Sequence, residues 1–154
     1  MNKCGFSLIE LVIVIGLIGI LLSLATFGFS RYSQKSNITN QTRLMYGDLM
    51  EYRSKALYEK KNWTFKISGS GYGIYSSINT TVAPVSTVIF KYPVLFNTTN
   101  IQFDSHGMTN NSGTVCISGS NEAVVDSVVI STTRVQIGKR KEGLNCVAAN
   151  IDAQ

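Results

Sequence analysis

Proline is nearly absent from this 154-residue chain, and its position is as telling as its rarity. Both prolines, Pro84 and Pro93, lie in the second half, so no pyrrolidine ring interrupts a helix between Phe6 and Trp63. Histidine is scarcer still. His106 is the only one, it sits in the polar turn "DSHG", and no C-x-x-C pair exists to supply a metal-ligand spacing. There is no G-x-S-x-G elbow. The "GSGYG" of residues 69–73 lacks the following helix of a phosphate loop and reads as a hairpin turn. These absences exclude the common catalytic constellations, so no enzyme activity, cofactor or metal is expected. Charge is sparse as well, at 15% of residues, with a net +5 that is unevenly placed. Seven basic residues face three acids between Arg31 and Lys61, whereas six basic and five acidic residues follow from Asn62 onward. The C-terminal portion is nearly neutral, and total charge is no argument for nucleic acid.

What the chain does have is one long apolar run, "KCGFSLIELVIVIGLIGILLSL", at residues 3–24. Residues 11–30 carry no charge over twenty positions. As a helix they reach about 30 Å, one hydrocarbon thickness. The run is too long for a secretory signal peptide, and no clear small-residue cleavage site follows it. A plain anchor would not ask for Glu10, because an acid at such a depth costs roughly 2.5–3.5 kcal/mol and normally has a partner. A cut between Gly5 and Phe6 would supply one: a free α-amine on Phe6, one helical turn from the Glu10 carboxylate. The pair forms within one chain or between staggered neighbours. In the second case Glu10 sets the register of packed helices.

"CGFSLIELVIVIGLIGIL" closely resembles the class III signal of type IV pilins and type II secretion pseudopilins. The resemblance implies that a prepilin peptidase cuts after Gly5 and methylates Phe6, and that Glu10 is the docking acid. It further implies other pilins or pseudopilins and an inner-membrane assembly platform as partners. The chain would cross the bacterial inner membrane once, with its head in the periplasm, before joining a pilus or pseudopilus. Charge counting does not decide this orientation, since Lys3 precedes the span while Arg31 and Lys35 follow it. The cleavage motif does. The proline that many relatives carry near the end of the run is missing here, and Gly16 and Gly19 stand either as weak points in the helix or as sites of close packing.

Past Ser30, residues Ile38, Thr42, Met45, Leu49, Tyr52 and Ala56 recur at helical spacing, one face of an amphipathic continuation. Arg31, Lys35, Arg43, Arg53 and Lys55 fall mostly off that stripe, which reads as a solvated face with lipid headgroups near Arg31 and Lys35. Residues 37–42 are poor in helix formers, a place for a kink. The lysines of "EKKNWTF" suit a helix C-terminus. Beyond Trp63, β-rich runs at 64–67, 73–76, 87–92, 100–103, 114–118, 124–131 and 134–137 alternate with turn signals. The expected fold class is therefore α+β: a long N-terminal helix, half transmembrane and half amphipathic, packed on an antiparallel β-sheet head. The organisation divides into a leader at 1–5, a transmembrane or filament-core helix at 6–30, its amphipathic continuation at 31–61 and a β-rich head at 62–154.

With the head outside the cytoplasm, Cys116 and Cys146 are candidates for a disulfide; the alternative is two small buried residues that never pair. The six Asn-x-Ser/Thr sequons would matter only in a eukaryotic secretory pathway, which the leader argues against. The C-terminal half looks like the GspH/FimT group of minor pseudopilins, with Phe103, Asp104 and Gly107 at the positions of an F-D-x-x-G segment. Some members of that group bind DNA during natural transformation through a Gly-Arg-x-Arg motif near the last strand. Here only Arg134 matches, but Lys139, Arg140 and Lys141 follow closely. These four are the candidate DNA contacts, set against a solvated hairpin beside Glu142. The function expected is that of a minor pilin or pseudopilin, with a DNA-binding minor pilin as the alternative.

Overall fold

The computed structural model describes residues 7–119 and 122–154, the side chains of 24–27 excepted. Two compact units are present, Met1–Gln34 and Lys35–Gln154. The helix α1 (Leu8–Glu59) occupies the stretch that proline avoids. Residues 37–42 stay helical despite their composition, and Thr42 donates its hydroxyl back to the Ile38 carbonyl at 2.9 Å. The helix stops at Glu59 because Lys60 adopts the left-handed conformation, with φ 54°. Its last turn holds no basic residue. Lys60 and Lys61 thus lie just outside the helix that they seemed by sequence to finish.

Nine strands follow among the described residues: β1 (Trp63–Ser68), β2 (Gly71–Tyr75), β3 (Ser86–Ile89), β4 (Val94–Phe96), β5 (Asn100–Phe103), β6 (Gly113–Ile117), β7 (Ser127–Ile130), β8 (Val135–Arg140) and β9 (Ile151–Ala153). They form two antiparallel sheets instead of the single one expected. The first has the order β3-β2-β1-β5 and the second β4-β6-β7-β8-β9. The chain crosses from the first to the second at 90–93, inside the run that the sequence presents as one strand over 87–92. Gln41 on α1 holds this corner. Its side-chain carbonyl accepts from the backbone N–H of Lys91 at 3.0 Å and of Tyr92 at 2.9 Å, and its amide donates to the Tyr92 carbonyl at 2.9 Å. Three backbone groups that no ladder reaches are satisfied by one side chain.

The amphipathic stripe does what its spacing predicts. Ile38, Thr42, Met45, Leu49 and Ala56 are essentially fully buried, and Tyr52 is half-buried. They share one core with Phe65, Tyr72, Ile74, Ile101 and Phe103 of the first sheet and with Val115, Ile117, Val128 and Ile130 of the second. Each large member contributes about 1.5–3 kcal/mol by leaving water. Within this core Tyr52 packs against Trp63 and Phe65 at centroid separations of 4.8 and 5.7 Å.

The short strand β9 closes the edge of the second sheet by pairing with β8. Gly138 makes this approach feasible, since a Cβ there would lie 2.6 Å from the Asp152 carbonyl oxygen. Cys116 on β6 is bonded to Cys146, with S–S 2.00 Å and Cα atoms 5.9 Å apart. The bond ties the segment leading into β9 to β6, the strand beside β4 at the other side of the same sheet.

Candidate assembly helix and basic strand

In the N-terminal unit α1 begins at Leu8, and the Ser7 carbonyl accepts from the N–H groups of Glu10 and Leu11 at 3.1 and 3.2 Å. Glu10 is exposed in this first turn, where the helix dipole favours a negative charge. Gly5 and Phe6 lie outside the described residues. Every large hydrophobic side chain from Leu8 to Leu22 is at least 45% exposed. Gly16 and Gly19 have open space where a Cβ would stand. A water-facing helix of this composition has nothing to bury against within its own unit, so lipid or other helices must cover it. It is also long and apolar enough to cross a membrane.

In the larger unit the F-D-x-x-G segment proves to be a turn that grips α1. Asp104 accepts from the N–H groups of His106 at 2.8 Å and Met108 at 2.9 Å. These bonds hold its carboxyl below the usual carboxylate range, the Met108 N–H being the largest cause. Gly107 takes a φ of +68°, and a Cβ on it would strike Leu57 of α1 at 2.8 Å. Its carbonyl accepts from Arg53 Nε at 2.8 Å, while Arg53 Nη2 donates to the Thr133 carbonyl. Arg53 therefore belongs to a clamp joining α1 to two loops of the head, not to the solvated face assigned to it by sequence. The two loops also bond to each other, Thr109 N–H to the Thr132 carbonyl at 3.0 Å. His106 stays in the turn, exposed, its Nδ1 3.7 Å from an Asp104 oxygen.

The four basic candidates do not form one patch. Arg134 is exposed in the β7–β8 turn, its N–H on the Ser131 carbonyl at 3.3 Å. Lys139 and Arg140 end β8, roughly 15–20 Å further along the strand at ~3.3 Å per residue. They are half-buried on a paired strand, with Lys139 opposite Asp152 and Arg140 opposite Ile151, instead of standing on a free loop. Lys141 reaches Asp152 at 3.5 Å. The Arg140 N–H is also held by the buried carboxylate of Asp126 at 2.8 Å. Among the described residues no group of three His, Cys, Asp or Glu side chains is placed to hold a metal ion.

Sequence reasoning missed two positioning residues, Gln41 and Arg53. Both act on backbone carbonyls and amides, which leave no signature in the partner's side chain. The Gly107 position was visible through its motif, and its helix partner was not.

Residues 1–26 match the family model described as the prokaryotic N-terminal methylation motif. Two crystal structures of the type IV minor pilin FimU of Pseudomonas aeruginosa (strain PAO1), in space groups P21 and P65, share the fold. Their TM-scores are 0.52 and 0.51, both at 16% sequence identity. They cover 70% and 64% of this chain and 90% of each FimU chain. The likeness is one of fold: a long N-terminal helix followed by antiparallel sheets, the pilin architecture. Comparison with curated proteins gives no match.

Proposed function

We propose that this chain is a minor subunit of a type IV pilus or of a type II secretion pseudopilus. The observation that carries the reading is the methylation motif at residues 1–26, which overlaps a stretch of α1 whose large apolar side chains from Leu8 to Leu22 are all exposed. Prepilin peptidase cuts between Gly5 and Phe6 and methylates Phe6. Glu10 then pairs with the new terminal amine of a neighbouring subunit as helices stack, which offsets the cost of holding a carboxylate among apolar side chains. Helix packing supplies most of the assembly energy. The head faces outward from an inner-membrane platform on the periplasmic side. DNA capture gains nothing from the separation of Arg134 from Lys139, Arg140 and Lys141, so assembly is the function put forward.

The test is co-expression with a prepilin peptidase, followed by mass spectrometry of the mature chain and recovery of sheared filaments. The expected product begins at methylated Phe6, and Glu10→Ala is processed but absent from filaments. A chain that keeps Met1 to Gly5, or a Glu10→Ala variant recovered in filaments at the wild-type level, overturns the proposal.

A further inference from the structure

The edges of the two sheets are protected unequally. The outermost strands are β3 and β5 in the first sheet and β4 and β9 in the second. An unpaired edge is a row of bare N–H and C=O groups that another strand can join, so edges are commonly short, charged or covered. Three of the four are. β4 is three residues long and follows Pro93. β9 is as short and carries Asp152, ion-paired to Lys141 at 3.5 Å. β5 is covered by the segment after it, through a bridge from Phe103 to Thr109 and a bond from Asn111 Nδ2 to the Asn100 carbonyl at 3.4 Å.

β3 has none of these protections. No charged residue occurs anywhere from 67 to 90. Ile78, Val82, Val85 and Ile89 in that stretch are exposed, Ile89 to 82%. The Phe90 N–H donates inward to the Ser70 carbonyl at 2.9 Å. By antiparallel alternation the Val88 backbone also faces β2, and the N–H and C=O groups of Thr87 and Ile89 face away from the sheet. Among the described residues no hydrogen bond reaches those four groups.

A groove adjoins this edge. It lies between β3 and α1, is mostly apolar and holds about 190 Å³. Leu44, Val88, Ile89 and Phe90 line it, with Leu44 and Ile89 open to solvent. A cavity of ~150 Å³ admits a benzene ring, so this one takes a single large apolar side chain. Lys91 lines one end, exposed and without an ion pair among the described residues.

The bare edge selects an extended backbone, and the groove selects one side chain carried by it. We propose that β3 receives an added antiparallel strand from a partner protein. That strand is uncharged along β3, places a large apolar residue in the groove and begins with a carboxylate that meets Lys91. The charge pattern argues for this occupant: a charge along the strand would find no counter-ion from 67 to 90, and antiparallel pairing brings the start of the strand beside residue 91. A second copy is the less favoured occupant, because β3 paired with β3 offers Lys91 no carboxylate. The inference does not rest on the assembly reading.

The test is fluorescence anisotropy of a labelled heptapeptide, aspartate first and threonine alternating with leucine thereafter, titrated with the full-length chain in detergent micelles. Saturable binding is expected. Thr87→Pro removes one outward N–H and no bond within the sheet, and weakens binding at least about tenfold. Thr87→Ala, which keeps the N–H, stays within about threefold of wild type. Leu44→Asp, a charge at the mouth of the groove, also weakens binding at least about tenfold. Asparagine in place of the peptide's aspartate weakens binding to wild type but not to Lys91→Gln. A peptide of the same sequence methylated on the backbone nitrogens that face β3 does not bind, a result independent of any variant's folding. Thermal unfolding of each variant at the wild-type temperature excludes misfolding. No saturable binding by wild type, equal binding of the methylated peptide, or a correctly folded Thr87→Pro that binds as wild type does overturns the proposal. Peptide-free dimerisation that Thr87→Pro abolishes, seen by sedimentation, overturns the partner assignment in favour of a second copy.

Discussion

Arg53→Leu removes two hydrogen bonds while keeping most of the apolar stem that lies along α1. The bond to the Gly107 carbonyl is partly buried, and a charged donor there is worth about 2 kcal/mol. The bond to the Thr133 carbonyl is exposed and is discounted to roughly 0.5–1 kcal/mol. Gly107 is itself buried, so its carbonyl is left short of an acceptor's partner when the guanidinium goes. The expected loss is about 2–3 kcal/mol, or a melting temperature lower by roughly 8–12 °C for a unit of this size. Arg53→Lys recovers about half, because a point donor reaches one carbonyl and not both. The single tryptophan provides the assay. Trp63 is buried beside Tyr52, so its fluorescence follows urea unfolding of the full-length chain in detergent. Arg43→Leu, exposed on the same helix, serves as the reference and should shift stability by no more than about 0.5 kcal/mol. Coincident urea midpoints for Arg53→Leu and Arg43→Leu would refute the clamp.

Three further outcomes are expected. Reduction of the Cys116–Cys146 bond, or Cys146→Ser, should cost about 3–4 kcal/mol, since the bond closes a loop with a sequence separation of 30; denaturation curves that ignore reductant would contradict it. Asp104 has a folded pKa below its unfolded one, so its contribution is complete above about pH 4 and fades as pH falls through the folded value. The stability gap between wild type and Asp104→Asn should therefore be flat near neutrality and shrink in acid, and a gap that widens in acid would reverse the assignment. Burial, aided by a hydrogen bond to Asp48, pushes the Tyr72 phenol well above its ordinary range. In an ultraviolet titration Tyr72 should stay protonated until alkaline unfolding, and Tyr72→Phe should remove that late step.

The helix face was legible because its residues repeat with the helical period and all bury against one core. The strands bounded by glycine and asparagine turns were legible for a related reason: the chain must reverse there. The second sheet was not. β4 is three residues long and begins just after Pro93, and β9 is equally short. Neither spans enough pleats to show alternation. The 87–92 run reads as one strand because all but Lys91 favour β structure, and only Gln41, fifty positions away, reveals that the backbone turns there. Likewise the run over 124–131 starts as strand only at Ser127. Before it, Asp126 is committed to the Arg140 N–H and the Ser127 hydroxyl, bonds that composition does not announce.

The path of the chain between the two sheets has a consequence for how the head comes into being. It lays β1, β2 and β3 in one sheet, β4 in the other, then returns β5 to the first before β6 begins the rest of the second. Neither layer can be finished in isolation, because each waits on a segment lying beyond one that belongs to its counterpart. Losing the last third of the chain would strand β4 without its neighbour β6. The two layers are thereby stitched into a single melting event, so heat or a protease should meet the head as all or nothing.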